Sequence, residues 1–138
     1  MPELAAEEQE QLDQINTDIH YRNIALGHLH QEAANYEDEA ARMRSLAAGL
    51  TTALEPLRTA FNGIRSLHTT RTWEGQAATA SRARLDGHEI QHNTAIRSID
   101  GLIDDLEAEA AVTEQRRSAT LGEISDIRWQ IHLLEEQR

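Results

Sequence analysis

The sequence predicts an all-α protein, a long antiparallel helical hairpin, and three observations lead there. Strand-forming residues are scarce, with Val112 the only valine and aromatic residues at 4% of the 138. Alanine is abundant, and Glu, Gln, Arg and Leu supply much of the rest, all of which favour helix. Apolar residues recur at alternating steps of three and four, the spacing of one helix face.

The first helix is expected over about 4–68. Sixteen positions taken at those steps from Leu12 to Ile64 hold fifteen apolar residues and one arginine, Arg22. The 39% apolar composition would place roughly six there. The mean step of 3.5 implies a left-handed supercoil around a partner helix. Pro56 falls inside this helix but off the seam, where it removes one backbone hydrogen bond and is expected to kink the chain.

The seam stops in Leu67–Gly75, which is rich in threonine, and the turn is expected at about 69–75. A threonine N-cap and Glu74 in the first turn would favour the start of the next helix. That second helix is expected over about 76–136. Its seam runs through Ala78, Leu85, Ile96, Ile99, Ile103, Leu106 and Ala110, then through Ile124, Ile127, Ile131 and Leu134. Between them the same positions hold Thr113, Arg117 and Thr120, and Thr120 with Glu123 fits a capping box. A break near 113–122 is therefore expected.

Residues 1–138 thus read as a single hairpin domain. With the turn near Arg71, facing residues should sum to about 142. Leu57 would then face Leu85, and Arg22 would lie near Thr120 in a looser polar layer. Leu46, Leu67, Ile90, Leu102, Val112, Trp129 and Leu133 stand beside the seams. They widen the apolar faces towards a four-helix bundle formed with a second copy or a similar hairpin.

Composition also excludes functions. The 24 acidic and 13 basic residues leave a formal charge of -11, which repels phosphate backbones and argues against nucleic acid as a partner. Every basic residue is arginine, so Schiff-base chemistry and a P-loop lack their lysine. The absence of cysteine removes thiolate nucleophiles and cysteine metal sites. The acidic N-terminal segment has no apolar core, and the longest uncharged run, Ser45–Leu54, is too short to span a bilayer. The expectation is a protein made in the cytoplasm without a signal peptide, not inserted in membranes, and exported, if at all, by a leaderless route.

His88-Glu89-Ile90-Gln91-His92 matches His-Glu-x-x-His, which on a helix places two imidazoles on one face for zinc and a carboxylate to activate water. A third ligand is needed, and the expected register offers only Glu55 near His88. No strand is visible to hold a substrate. Surface histidines partly facing the seam are the preferred reading. Glu37-Asp38-Glu39 and Asp104-Asp105 read as solvated faces, and no catalytic residue, metal or cofactor is expected.

The turn itself carries Thr72-Trp73-Glu74-Gly75, followed by the alanine-rich stretch Ala77–Leu85. A tryptophan there can fold its indole over the end of a bundle, and a glycine two residues on allows close approach. This resembles the WXG family, the small helical hairpins exported by type VII (ESX) secretion systems, which carry Trp-x-Gly between two long helices. The resemblance implies a non-enzymatic substrate or export partner acting through helical pairing. Its partner would be itself, a similar hairpin, or a larger secreted effector or toxin. Partner-binding residues would be Trp73 and Gly75, with Leu54, Leu57, Phe61 and Ile64 beneath them. The family's export signal, Tyr-x-x-x-Asp/Glu, is not met: Ala25 and Ala40 stand four positions after Tyr21 and Tyr36. The competing readings are a structural coiled-coil scaffold or virion assembly component without export, and a metal-binding protein using residues 88–92.

Overall fold

The computed structural model describes residues 2–70 and 75–138, without the side chains of 2–4, 64–70 and 77–78. Two α-helices account for nearly all of them: α1, Pro2–Thr70, and α2, Gln76–Glu136. They pack against each other as an all-α helical hairpin. The seam on α1 is buried or half-buried at every anticipated position from Leu12 to Leu50 and again at Leu54. The α2 seam is likewise covered from Leu85 to Leu134.

The chain divides into two compact units, 1–40 with 111–138, and 41–110. In the first, Ile19, Ala33 and Ala40 from α1 are buried together with Thr113, Thr120, Ile124 and Ile131 from α2. Cross-helix contacts here run antiparallel: Arg22 Nε donates to Gln130 Oε1 at 3.1 Å, and Arg117 lies 3.6 Å from Glu37. In the second unit, Ala47, Leu54 and Ile103 form the core, with Leu50, Ile96, Ile99 and Leu106 packed against it. Arg58 Nη2 reaches both carboxylate oxygens of Asp100, at 2.9 and 2.8 Å.

The expected break near 113–122 is absent, since α2 is continuous through it. Thr113 is only 1% exposed and Thr120 is also buried, so no loose layer forms there. Threonine fits a helix interior because its methyl packs in the seam while its hydroxyl can bond the carbonyl four residues back. Thr51, Thr59 and Thr94 do this elsewhere in the chain. Arg117 is accommodated by lying along the seam with its guanidinium directed to Glu37, although its Nε is buried without a hydrogen-bond partner.

The facing register also differs from expectation. Arg22 meets Gln130, ten residues beyond Thr120, and Leu57 does not settle opposite Leu85 but is 51% exposed. Helical side chains lean towards their own N-terminus. In an antiparallel pair that lean sends an α1 side chain away from the connection and an α2 side chain towards it. Contacting residues therefore sum to about two more than the backbone midpoint suggests, and the helix ends at Thr70 and Gln76 put that midpoint near 73 rather than 71, which adds four more. Pro56 does not break α1, which is helical on both sides of it.

Tyr36 illustrates how a seam residue keeps a polar tip satisfied. Its hydroxyl donates to Glu32 Oε1, one turn back, at 2.9 Å. That hydrogen bond holds the phenol pKa above its ordinary 10.0, helped by desolvation and by the charges of Glu32 and Glu39, and opposed by Arg116. Because the native pKa is raised, the bond's contribution is complete below pH 10 and is lost as pH climbs through the native pKa. Glu32→Gln is expected to move the Tyr36 titration back towards 10, read by ring NMR shifts or phenolate absorbance.

Candidate partner-binding surface

The second helix begins at Gln76 directly after Gly75, whose φ of 100° lies in the left-handed region that glycine tolerates. The Gly75 carbonyl accepts both the backbone N–H and the hydroxyl of Thr79, each at 3.1 Å. Gly75 therefore acts as N-cap, in place of the threonine anticipated from sequence. Glu74 precedes the helix, so the first turn of α2 holds no acidic residue.

Of the anticipated partner-binding residues, Leu54 is 3% exposed and packs between the two helices, so it supports the hairpin itself. Leu57, three residues on, is half exposed and open to another molecule. Phe61 is half-buried and stacks on His92 across the helix pair, with ring centres 4.5 Å apart and planes 15° from parallel. Trp73 and the side chain of Ile64 lie outside the described residues.

Beside the Phe61–His92 stack, Asn62 on α1 and Glu89 and Asn93 on α2 line a shallow groove of about 230 Å³. This is also where His-Glu-x-x-His falls. His88 is exposed while His92 is engaged with Phe61, so the two imidazoles sit in different surroundings. Among the described residues no group of three or more metal-binding side chains comes together. Glu55 is not near His88, contrary to the sequence-based register. Phe61 stacks on His92, so Glu55 lies six residues further from the connection and His88 four nearer. At 1.5 Å per residue that separates them by roughly 15 Å along the helices.

The off-seam apolar residues stand out in solvent as anticipated, apart from Leu67, whose side chain lies outside the described residues. In the second unit Leu46, Ile90 and Leu102 are exposed; in the first, Val112, Trp129 and Leu133 are. Sequence reasoning missed Tyr21, Ile24 and Leu121, which are also exposed in the first unit. Their signal was available: Tyr21 stands two positions after the seam residue Ile19, which turns it out of the seam. No helix among the described residues is long and apolar enough to cross a membrane. Compared with protein-family models, curated proteins and solved structures, the chain matches none.

Proposed function

We propose that the chain is a non-catalytic helical interaction module resembling WXG proteins, a substrate or export partner of a type VII secretion system. The observation that carries this reading is the position of Trp73-Glu74-Gly75. The tripeptide falls in the connection between Thr70, the last residue of α1, and Gln76, the first of α2. The left-handed Gly75 supports it, because a side chain at that position would be strained. Exposed apolar residues flanking both seams support assembly with a second hairpin into a four-helix bundle. With neither tyrosine followed by the acidic residue of the export signal, that signal is supplied by a partner, itself a hairpin or a larger effector.

The test is secretion. The protein is expected in culture supernatant only when the secretion ATPase of its host is active. Trp73→Ala is expected to reduce both export and complex formation about tenfold while helix content stays near wild type, read by circular dichroism. Export and complex formation unchanged in that variant would overturn the proposal and favour a scaffold in which Trp73 is incidental.

A further inference from the structure

Within the second unit, residues 41–110, the two flanks of the helix pair differ in kind. A residue one place after a seam residue turns about 100° to one side, and one place before it turns equally to the other. Arg58 follows Leu57 and Asp100 follows Ile99, and their ion pair shows that following residues of both helices share a flank. The same flank holds Arg44, Glu55, Arg97, Asp104 and Glu107 by the same spacing, so it is charged along its length.

The flank of preceding residues is the reverse. On α1 it runs through Leu46, Gly49, Ala53, Pro56 and Ala60, and no charged residue stands among them. On α2 it runs through Gln91, Ala95, Ser98 and Leu102, again uncharged. All of these are exposed, Leu46 by 54% and Leu102 by 48%. Leu57, three places after buried Leu54, is turned about 60° towards this flank and is the third exposed leucine on it. With the midpoint of the pair near 73, Leu46 stands level with Leu102, and Ala53 with Ala95. A Cβ at Gly49 would meet nothing within the hairpin, so no contact inside the chain requires a glycine there.

We propose that a second copy of the chain packs on this uncharged flank, antiparallel, about a two-fold axis passing between Ala53 and Ala95. Each helix of the resulting four-helix bundle then has only antiparallel neighbours. The inference rests on the helical-pairing part of the reading above and assigns it a face, an orientation and an occupant. Bulk meets space under this symmetry: Leu46 lies against Ala60 of the second copy, and Leu57 against its Gly49. Charge is complementary as well. Arg84, before buried Leu85, ends the flank on the connection side, and Asp105 and Glu109 end it on the other. The two-fold axis brings Arg84 of each copy to Asp105 of the other. The unit as a whole holds nine acidic and eight basic residues, so little net charge opposes its own copy. Area suffices too: from Arg84 to Glu109 the flank is roughly 38 Å long and about 20 Å wide. That gives about 750 Å² per copy, close to the roughly 800 Å² that each partner gives to a stable interface.

Sedimentation equilibrium of the full chain should show monomer and dimer exchanging with a micromolar dissociation constant. Unfolding followed below that concentration reports the hairpin alone. Ala53→Glu sets two carboxylates against each other at the axis and should weaken the dimer at least roughly thirtyfold. Ala95→Glu repeats the test on the other helix. Both alanines are exposed in the hairpin, so helix content by circular dichroism should hold in each variant. Ala48→Glu, on the charged flank, should leave dimerisation within about twofold of the original. Orientation is read by exchanging charges: Arg84→Glu and Asp105→Arg should each weaken the dimer about fivefold, and their combination should restore it. A chain still monomeric at about 100 μM, or one that dimerises equally well with both axis variants, overturns the proposal. So does a combined exchange that restores nothing, or an Ala48→Glu effect as large as that of Ala53→Glu. None of these measurements involves secretion, so failure here leaves the Trp73-dependent export reading standing, and failure of export leaves the dimer standing.

Discussion

Leu54→Ala is expected to destabilise the hairpin by about 3 kcal/mol, with urea denaturation followed at 222 nm as the measurement. Leu54 is covered on every side in the second unit, against Ala47 and Ile103, with Leu50, Ile96, Ile99 and Leu106 around them. Truncation removes the transfer free energy of three carbons and leaves a void. The neighbours can close that void only partly, since Ala47 offers no side chain to fill it. Leu57→Ala is the internal control. With half of Leu57 in solvent, its truncation should cost less than about 1 kcal/mol. Equal losses in the two variants would mean that the seam runs through Leu57 as much as through Leu54, against the packing described here.

The contrast between Leu54 and Leu57 also shows where sequence periodicity stops being informative. From Leu12 to Leu54 the three-four spacing matched the covered face position by position, because helix geometry converts spacing directly into direction. It could not say at which level the second helix lies, since the lean of side chains and the path of the connection set that. Hence Arg22 was matched to Thr120 rather than to Gln130. Polarity misled in another way: Thr113, Arg117 and Thr120 read as an interruption, yet they sit in a continuous helix. A threonine hydroxyl can be satisfied within its own helix, and an arginine stem covers apolar surface while its charge reaches out. The candidate site was only partly legible for a related reason. A seam signals that a face is covered without naming what covers it, so Leu54 could equally have served a partner or its own hairpin. Trp129 was recognisable as off-seam from its position, but its prominence emerged only once the neighbouring helix was in place.

Pro56→Ala carries the opposite sign, a stabilisation of about 2–3 kcal/mol. Proline in a helix interior lacks the N–H that would bond the carbonyl four residues back, here Thr52, and its ring crowds that carbonyl. The substitution restores one backbone hydrogen bond and removes the clash. It also returns some freedom to the unfolded chain, which offsets up to about 1 kcal/mol of the gain. Position 56 is exposed, so alanine removes no buried packing, and α1 is already helical on both sides of it. The melting temperature should rise by about 5–10 °C. Hydrogen exchange at the amides of Leu57 to Ala60 should slow in parallel, since that turn gains its missing restraint. A melting temperature that stays the same or falls would show that the helix needs the backbone geometry of proline there, with the Leu54 and Phe61 packing on either side depending on it. Combining Pro56→Ala with Leu54→Ala separates the two cases. Independent effects would nearly cancel, whereas a requirement for that geometry would make the double variant less stable than Leu54→Ala alone.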